Sequence, residues 1–388
     1  MSNAISSTAR PPLRVMIAGG GTGGHLFPGI AIAEEVRQAH PDAEIRFVGT
    51  SRGIEARVLP QLGWDHDFIE VSGLKTVGLM GTLRGMLRLP KALWQARRVV
   101  KRFKPDAVVG VGGYASGPVV LMARLRGVRT AICEQNSIPG LTNKILGKLV
   151  QRVFLAFDVT RPFFKASKIA LVGTPIRVAM LQRLLATTSA AAAAGATAAQ
   201  RSDEPTAKPA LRIFICGGSL GAVKLNEVAS AAMINLSENR TIHVVHQTGK
   251  QGLAETQARY QAAGLGTDRV ECREFIDDMA AQYASADIII ARAGAATVAE
   301  LAIAGKPAIF VPYPFAADNH QELNAKEIVD GGGAKMFRQA DLTGDILRGA
   351  ILEIVDDAAV QKRMAACMAE FAKPDAGRAV AQWCAGQS

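Results

Sequence analysis

The chain contains one short unit twice, and this repeat restricts the fold more than any other feature. LRVMIAGGGTGGH runs from Leu13 to His25, and LRIFICGGSLGA runs from Leu211 to Ala222. Each unit passes from an apolar, strand-like run into clustered glycines and then into a helical pattern, as at the start of a doubly wound sheet. Two copies in 388 residues predict two domains, since single hydrophobic cores usually stop growing at about 250–300 residues.

The rest of each half alternates between strand-like and helical segments. Apolar runs such as EIRFVG, DAVVGV and DIIIAR are separated by amphipathic segments such as GIAIAEEVRQAH. This alternation predicts parallel sheets that are covered by helices on both faces. We therefore expect an α/β fold with two Rossmann-like, doubly wound domains and a ligand held between them.

The domain boundaries follow from the same patterns. We predict a tail over 1–12, an N-terminal domain over 13–177 and a C-terminal domain over 211–362. The segment 184–210 is rich in Ala, Thr and Pro, and we expect a flexible insert there, although its Ala run could form a short helix. A final helix over about 363–388 is expected to pack back on the N-terminal domain.

The formal charge of +11 favours an anionic partner, which can be nucleic acid, an acidic membrane surface or a phosphorylated substrate. No nucleic-acid-binding motif is present, so we expect no such partner. The five cysteines form no CxxC pair and indicate neither a disulfide framework nor a zinc site. The polar start MSNAISSTARPP lacks the apolar core of a secretory signal, which favours a cytosolic protein.

The glycines of the first unit match a dinucleotide-binding pattern. Gly19, Gly21 and Gly24 satisfy G-x-G-x-x-G, but the NAD form also needs an acidic residue where the second strand ends. That strand ends in FVGTSR, so only an NADP reductase that uses Arg52 remains as an alternative. Further glycine clusters lie at 112–118 and 217–222. Any one of them can be a simple turn, but together they favour a phosphate-bearing ligand between the domains.

Seven motifs in order carry a family resemblance: GGTGGHLFPGIAIAEEV, GGYASGP, EQNSIPGLTNK, VGTPIR, GGSLGA, EFIDDMA and ARAGAATVAELAIAGKPAIFVPYP. The chain resembles the MurG-type N-acetylglucosaminyltransferases of glycosyltransferase family 28. The resemblance implies the two-domain GT-B fold, UDP-N-acetylglucosamine bound mainly by the C-terminal domain, and inverting transfer to a muramyl peptide on undecaprenyl diphosphate. It implies no cofactor. Alternatives are a GT-B transferase for another lipid, such as diacylglycerol, and a non-catalytic nucleotide-binding membrane scaffold.

The resemblance also implies which residues contact UDP-N-acetylglucosamine. Arg177 matches a contact to the diphosphate, Ser219 a phosphate-facing residue, and Glu300 the carboxylate that accepts the ribose hydroxyls. The full donor set carried over from the family is Thr22, Gly23, Gly24, Asn136, Arg177, Ser219, Ile276, Ala295, Ala296, Thr297, Val298, Ala299, Glu300 and Gln321. Leu220 and the His320–Gln321 pair depart from the family pattern, which has Gln at the first position and Gln-Gln at the second.

Two of the candidate residues also have structural interpretations. Thr297 and Glu300 match a capping box, in which both side chains bond the free N–H groups of a helix start. His25 can simply pack beside its glycine loop. The resemblance places His25 at the cleft between donor and acceptor, where a neutral imidazole can take the proton of the attacking hydroxyl or orient the substrate. We take His25 as the catalytic candidate.

Three further signals have structural or membrane interpretations. The D-x-D spacing of Asp65 and Asp67 occurs in metal-dependent transferases, but no glycine loop lies beside it, so we predict no metal site. His243 and His246 lie three apart on a strand and therefore point to opposite faces. The segment 78–104 combines Leu, Met and Trp with many cations. It is either a solvated helix pair or a contact with an anionic membrane at the cytoplasmic face, and we favour the contact.

Overall fold

The computed structural model describes residues 11–71, 79–198, 210–218 and 221–387, with side chains described except at 79–88, 189–198 and 317. The strands of the first half are β1 Arg14–Gly19, β2 Glu44–Gly49, β3 His66–Phe68, β4 Ala107–Gly112, β5 Arg129–Glu134, β6 Arg152–Leu155 and β7 Ile169–Leu171. Those of the second half are β8 Leu211–Cys216, β9 Ile242–Gln247, β10 Val270–Arg273, β11 Ile288–Ala291, β12 Ala308–Phe310 and β13 Ala334–Met336.

Helices alternate with the strands in both halves. In the first half they are α1 Gly23–Ala39, α2 Glu55–Gln61, α3 Leu79–Phe103, α4 Ser116–Leu125 and α5 Leu141–Leu149, and α6 Val178–Ala198 leads to the second half. The second half has α7 Val223–Ser237, α8 Leu253–Ala262, α9 Met279–Ser285, α10 Ala295–Ala304, α11 His320–Asp330, α12 Gly344–Val355, α13 Ala358–Glu370 and α14 Ala376–Cys384.

The strands form two parallel sheets, so the predicted fold class is confirmed. The first sheet has the order β3-β2-β1-β4-β5-β6-β7 and the second has the order β10-β9-β8-β11-β12-β13. In each sheet the direction of winding reverses between the repeated strand and its neighbour, at β1/β4 and at β8/β11. Such a switch point opens a crevice beyond the carboxyl ends of the strands.

Strand alternation produces a core on both faces of each sheet. Val15 and Ile17 enter one buried cluster of the first sheet, whereas Met16 enters the cluster on the other face. Ile213 and Phe214 divide in the same way in the second sheet. Successive strand residues point to opposite faces, and parallel sheets need apolar residues on both because helices cover both.

The prediction of a flexible insert over 184–210 is wrong for its first half. Helix α6 continues through Ala198, and residues 199–209 lie outside the described part of the chain. Leu181 and Leu184 anchor the helix, since both are buried in a core cluster together with residues of α9 and α10. Alanine has the best helix propensity, so the Ala run extends a helix that has already been started by packing.

The C-terminal segment contains two helices where the sequence predicts one over 363–388. Met364 and Met368 of α13 join the clusters of the second sheet. After a break, Val380 and Trp383 of α14 join a cluster of the first sheet. The chain therefore crosses between the sheets twice, through α6 and through α14.

The cysteines are all free thiols, and three of them are buried. Within the ranges given above, no helix combines the length and apolar character needed to cross a membrane.

Candidate active site

The glycine loops lie where the strand orders predict a crevice. The first loop follows β1 and the 112–118 loop follows β4, which are neighbours in the first sheet. The 217–222 loop follows β8, and Arg292–Gly294 follows its neighbour β11. Contacts between α1 and both α6 and α10 bring the two groups of loops together.

Among the residues that the structure describes, no side chain caps the helices that begin at these loops. The N-cap positions of α1, α4, α7 and α10 make no side-chain capping bond, and their first turns contain no acidic residue. By contrast, α12 and α13 are capped by Thr343 and Asp357. Unsatisfied N–H groups and the positive end of the helix dipole favour an anion, so this edge of each sheet suits a phosphate.

His25 lies in the first turn of α1 and is half-buried. Its Nδ1 is 3.3 Å from Thr22 Oγ1. Its ring lies against Gly112, where φ is +96° and where an added Cβ would be 2.6 Å from His25 Cδ2. Burial lowers the pKa of His25, a hydrogen bond to the Gly20 backbone opposes this, and the charges of His320 and Glu55 act in opposite directions. His25 is therefore neutral at pH 7 and can accept a proton.

Glu300 lies on α10 and is not a capping residue. The N-cap is Gly294, which makes no side-chain capping bond, so the helix begins before Thr297 and the capping-box interpretation does not apply. Glu300 Oε2 instead accepts a 2.9 Å hydrogen bond from the buried Tyr283 hydroxyl. Burial raises the pKa of Glu300 to about 7, while the Tyr283 bond and the Arg177 charge oppose the rise.

Arg177 lies just before α6 and carries the charge that acts on Glu300. It belongs to the segment that connects the two sheets, and its guanidinium is 5.6 Å from the centre of the Phe27 ring on α1. Arg177 thus brings a fixed cation between the first-loop helix and the Glu300 carboxylate. A guanidinium at this place suits the oxygens of a diphosphate.

Asn136 lies on a loop that crosses to the second sheet. The buried Glu134 holds this loop by accepting hydrogen bonds from Asn136 N at 3.0 Å and Gly140 N at 3.2 Å. The next residue, Ser137, donates from both its N and its Oγ to Asn324 Oδ1 on α11, each at 2.9 Å. Asn324 has no exposed surface, so this buried polar contact joins the Asn136 loop to α11 of the second half.

The other predicted donor residues have varied environments. Gln321 accepts a 2.9 Å hydrogen bond from Tyr313 N, which fixes its orientation. Ile276 is 2% exposed and packs in the core of the second domain. Thr22 and Gly24 are exposed at the first loop. Ser219 lies outside the described residues, as does its neighbour Leu220.

The structure also shows the environments of the two D-x-D aspartates and of the two histidines on β9. Arg46 bonds Asp65 Oδ2 at 3.3 Å and Asp67 Oδ2 at 3.4 Å, so both D-x-D carboxylates face a guanidinium. His243 is exposed whereas His246 is buried, as predicted for strand positions three apart. His246 lies 3.1 Å from the Tyr260 hydroxyl, and burial lowers its pKa to about 3.

Three supporting residues escape sequence reasoning. Tyr283 orients Glu300, Glu134 holds the Asn136 loop, and Glu55 lies beneath the first glycine loop. Glu55 carried a usable signal, because it follows the second strand after FVGTSR. The dinucleotide-binding pattern does not identify Glu55, because that pattern expects an acidic residue at the end of the strand, whereas Glu55 belongs to α2.

Comparisons with known proteins show which family the chain is similar to. The family model described as the glycosyltransferase family 28 N-terminal domain matches residues 15–155, and the one for the C-terminal domain matches residues 212–379. A relative in Anaeromyxobacter sp. (strain K) is 45% identical over 96% of this chain and 92% of its own length. A relative in Myxococcus xanthus is 43% identical over the same shares. Both are named UDP-N-acetylglucosamine–N-acetylmuramyl-(pentapeptide) pyrophosphoryl-undecaprenol N-acetylglucosamine transferase.

Solved structures share the architecture. The crystal structure of Acinetobacter baumannii MurG has a TM-score of 0.76 and 33% identity, and the match covers 97% of this chain and 100% of that one. The UDP-GlcNAc 2-epimerase of Neisseria meningitidis has a TM-score of 0.66 at 14% identity, over 95% of this chain and 98% of that one. The second likeness shows a common fold and nothing about activity.

Proposed function

The chain belongs to glycosyltransferase family 28, and we propose from this membership and from its site that it makes the second lipid-linked peptidoglycan precursor. It transfers N-acetylglucosamine from UDP-N-acetylglucosamine to the C4 hydroxyl of N-acetylmuramyl-pentapeptide on undecaprenyl diphosphate. The observation that carries the proposal is the position of Arg177: its charge acts on Glu300 of α10, and its guanidinium is 5.6 Å from the Phe27 ring on α1, the helix whose first turn contains His25.

The donor fits the side of the cleft formed by the second sheet. Glu300 has one oxygen bonded to Tyr283, which leaves the other to accept hydrogen bonds from the ribose hydroxyls. The uncapped start of α10 and the Arg177 guanidinium offset the charge of the diphosphate. The carboxylate would hold the ribose and the other groups the adjacent diphosphate, so together they would fix both the position and the direction of the nucleotide.

The reaction is a single displacement at the anomeric carbon. His25 takes the proton of the acceptor C4 hydroxyl, the hydroxyl oxygen bonds to the anomeric carbon, and the bond from that carbon to the UDP oxygen breaks. Inversion at carbon follows, and no covalent intermediate with the enzyme forms. The enzyme contributes positioning across the cleft and stabilisation of the departing diphosphate by helix N-termini and Arg177.

Incorporation of labelled sugar tests the proposal. The protein is incubated with radiolabelled UDP-N-acetylglucosamine and a soluble analogue of the muramyl-pentapeptide diphospholipid, with and without EDTA. We expect labelled disaccharide-lipid in both reactions, because Arg177 and the helix N-termini offset the diphosphate charge. A complete lack of product refutes the assignment, whereas loss only with EDTA refutes the claim that the donor needs no metal ion.

Replacement of Arg177 by Ala is expected to weaken donor binding by about 10–100-fold, the usual value of a hydrogen bond to a charged group. Titration calorimetry with UDP measures the effect. Arg183→Ala is the matched control. Arg183 lies on α6, which begins directly after Arg177, but it pairs with Asp278 on the surface. Equal UDP affinity in Arg177→Ala and the wild type would remove Arg177 from the donor site.

We further propose that the layer formed by α3, α4 and α5 contacts an anionic membrane at the cytoplasmic face. These helices pack side by side on one face of the first sheet. Leu141 and Ile145 of α5 are about half exposed, at 50% and 52%, and Trp94 of α3 is 60% exposed. Lys144 and Lys148 lie between the apolar residues of α5. Apolar side chains with interspersed cations suit an interface that is rich in anionic headgroups.

The Ile145→Glu variant is expected to bind vesicles at least about tenfold more weakly. A carboxylate there replaces an apolar side chain that the membrane would bury, and it also meets anionic headgroups. Sedimentation with phosphatidylglycerol-containing and with pure phosphatidylcholine vesicles measures the change. Ile346→Glu is the control, since Ile346 of α12 is similarly exposed at 43% but lies in the second domain. Equal loss in both variants, or no preference for the anionic vesicles, would contradict the proposed surface.

A further inference from the structure

A carboxylate lies beneath the first glycine loop. Glu55 begins α2 and has no exposed surface. Its Oε2 accepts a 2.7 Å hydrogen bond from Gly21 N. Its Oε1 accepts hydrogen bonds from Thr50 N at 2.8 Å and from Thr50 Oγ1 at 2.9 Å. The three donors are uncharged, so the carboxylate is held by hydrogen bonds that connect the first loop to the end of β2.

The chain leaves room for this side chain by having glycine around it. A Cβ at Gly20 or Gly53 would overlap the Glu55 carboxyl group, and one at Gly49 would overlap its Cγ. A buried acidic group is costly unless its hydrogen bonds are satisfied. The close fit of three glycines around the side chain therefore indicates a specific seat for Glu55 and not an incidental burial.

Glu55 changes what the first loop can bind. Gly21 N–H points inward to Glu55, and Gly20 N donates to Gly112 O at 3.3 Å. These two amides cannot bind a phosphate, although the glycine pattern resembles a phosphate-binding loop. The part of the loop that remains for the cleft is Thr22 to His25, the start of α1. These two glycines thus mount the start of α1, including His25, and only the N–H groups of that helix start remain available to an anion.

The position of Glu55 also matches the chemistry assigned to His25. The Glu55 charge raises the pKa of His25, against the stronger effect of burial and against the charge of His320 on α11. An imidazole that accepts the acceptor proton becomes a cation. A fixed carboxylate behind the loop stabilises that cation, while the loop bonds keep the ring in place.

We propose that Glu55 is a positioning residue for the glycosyl transfer, because it holds residues 20–25 in the conformation that directs His25 at the acceptor hydroxyl. The inference depends on the proposed function and on the role of His25 in it. Glu55 itself lies below the loop and does not touch the substrate.

The Glu55→Gln variant tests this role. A glutamine keeps the Thr50 bonds through its oxygen, but its NH₂ group then faces Gly21 N–H, donor against donor. We expect kcat to fall by about 10–100-fold, as for a misplaced general base, with KM for UDP-N-acetylglucosamine changed by less than about twofold, since Glu55 makes no contact on the donor side. The acidic limb of the kcat–pH profile should move to lower pH, because the anion that raises the pKa of His25 is gone.

Two further variants separate positioning from general stability. Asp106→Asn is the control. Asp106 Oδ2 accepts a 2.8 Å hydrogen bond from Arg14 N at the amino ends of β1 and β4, away from the glycine loops at their carboxyl ends. It should leave kcat and the pH profile unchanged. Glu55→Asp keeps the charge but shortens the reach, so kcat should fall while the acidic limb moves less than in Glu55→Gln. If Glu55→Gln does not fold, the decision rests on Glu55→Asp.

The outcomes are distinguishable. An active wild type with unchanged kcat and an unchanged acidic limb in the Glu55 variants overturns this inference alone. The same holds if the variants lose only thermal stability, as measured by Tm. If the wild-type protein transfers no sugar to the acceptor analogue, the proposed function fails and this inference fails with it.

Discussion

The His25→Ala variant is expected to turn over about 10²–10⁴-fold more slowly than the wild type, the usual contribution of a general base. UDP affinity should stay within about twofold, because the role proposed for His25 is at the acceptor hydroxyl, whereas the donor charges are expected to meet Arg177 and α10. The physical reason is the lowered pKa of His25: the imidazole is neutral at pH 7 and available for the proton of the C4 hydroxyl. Steady-state kinetics with labelled donor gives kcat, and titration calorimetry gives the UDP affinity.

The pH profile identifies the proton acceptor. Protonation below its pKa inactivates a histidine base, so wild-type kcat should fall at acidic pH, at a value below the ordinary histidine pKa of about 6.5. This limb should disappear in His25→Ala. His243→Ala is the control, since His243 is an exposed histidine on β9 and should change nothing. Wild-type turnover in His25→Ala would show that another group or water takes the proton.

The Glu300→Ala variant is expected to bind UDP at least about 100-fold more weakly. Two hydrogen bonds between the ribose hydroxyls and a carboxylate are worth about 3–6 kcal/mol in total. Removal of the carboxylate also leaves the buried Tyr283 hydroxyl without its 2.9 Å partner. Titration calorimetry with UDP and with uracil separates the contributions, because uracil has no ribose and should not distinguish the variant from the wild type.

Donor binding should also depend on pH through Glu300. Its pKa is raised to about 7, and the ionised form accepts the ribose hydroxyls. The affinity for UDP-N-acetylglucosamine, whose diphosphate has no group that titrates near pH 6, should therefore be constant well above pH 7 and fall by up to about tenfold per pH unit below it. Glu300→Gln should bind weakly with a flat profile in this range. A steep profile that survives in Glu300→Gln would assign the titration to another group.

The sheets were predictable because their signal is local. The repeated strand–glycine–helix unit and the apolar runs show the parallel strands directly, whereas the strand orders come from the structure. Sequence patterns do not predict the secondary structure of segments that are stabilised by contacts with distant parts of the chain. The Ala-rich run continues α6 because Leu181 and Leu184 are buried between α9 and α10, and no local pattern records that contact.

The site was predictable only in part, for a related reason. Residues that face the cleft stand in recognisable motifs, so Arg177, Glu300 and His25 could be named. Their supports lie elsewhere in the chain: Tyr283 orients Glu300 from α9, and Glu55 holds the first loop from α2. The Thr297 and Glu300 spacing suggested a capping box, but the helix begins earlier, at Gly294, and this frees Glu300 for a ligand.

A crystal structure of the protein with UDP-N-acetylglucosamine shows directly where the donor binds. We expect the nucleotide in the cleft between the two sheets, with both ribose hydroxyls on Glu300, the diphosphate beside Arg177 and the N-terminus of α10, and the sugar facing His25. A nucleotide bound elsewhere on the molecule, or in the cleft with its ribose away from Glu300, would contradict it.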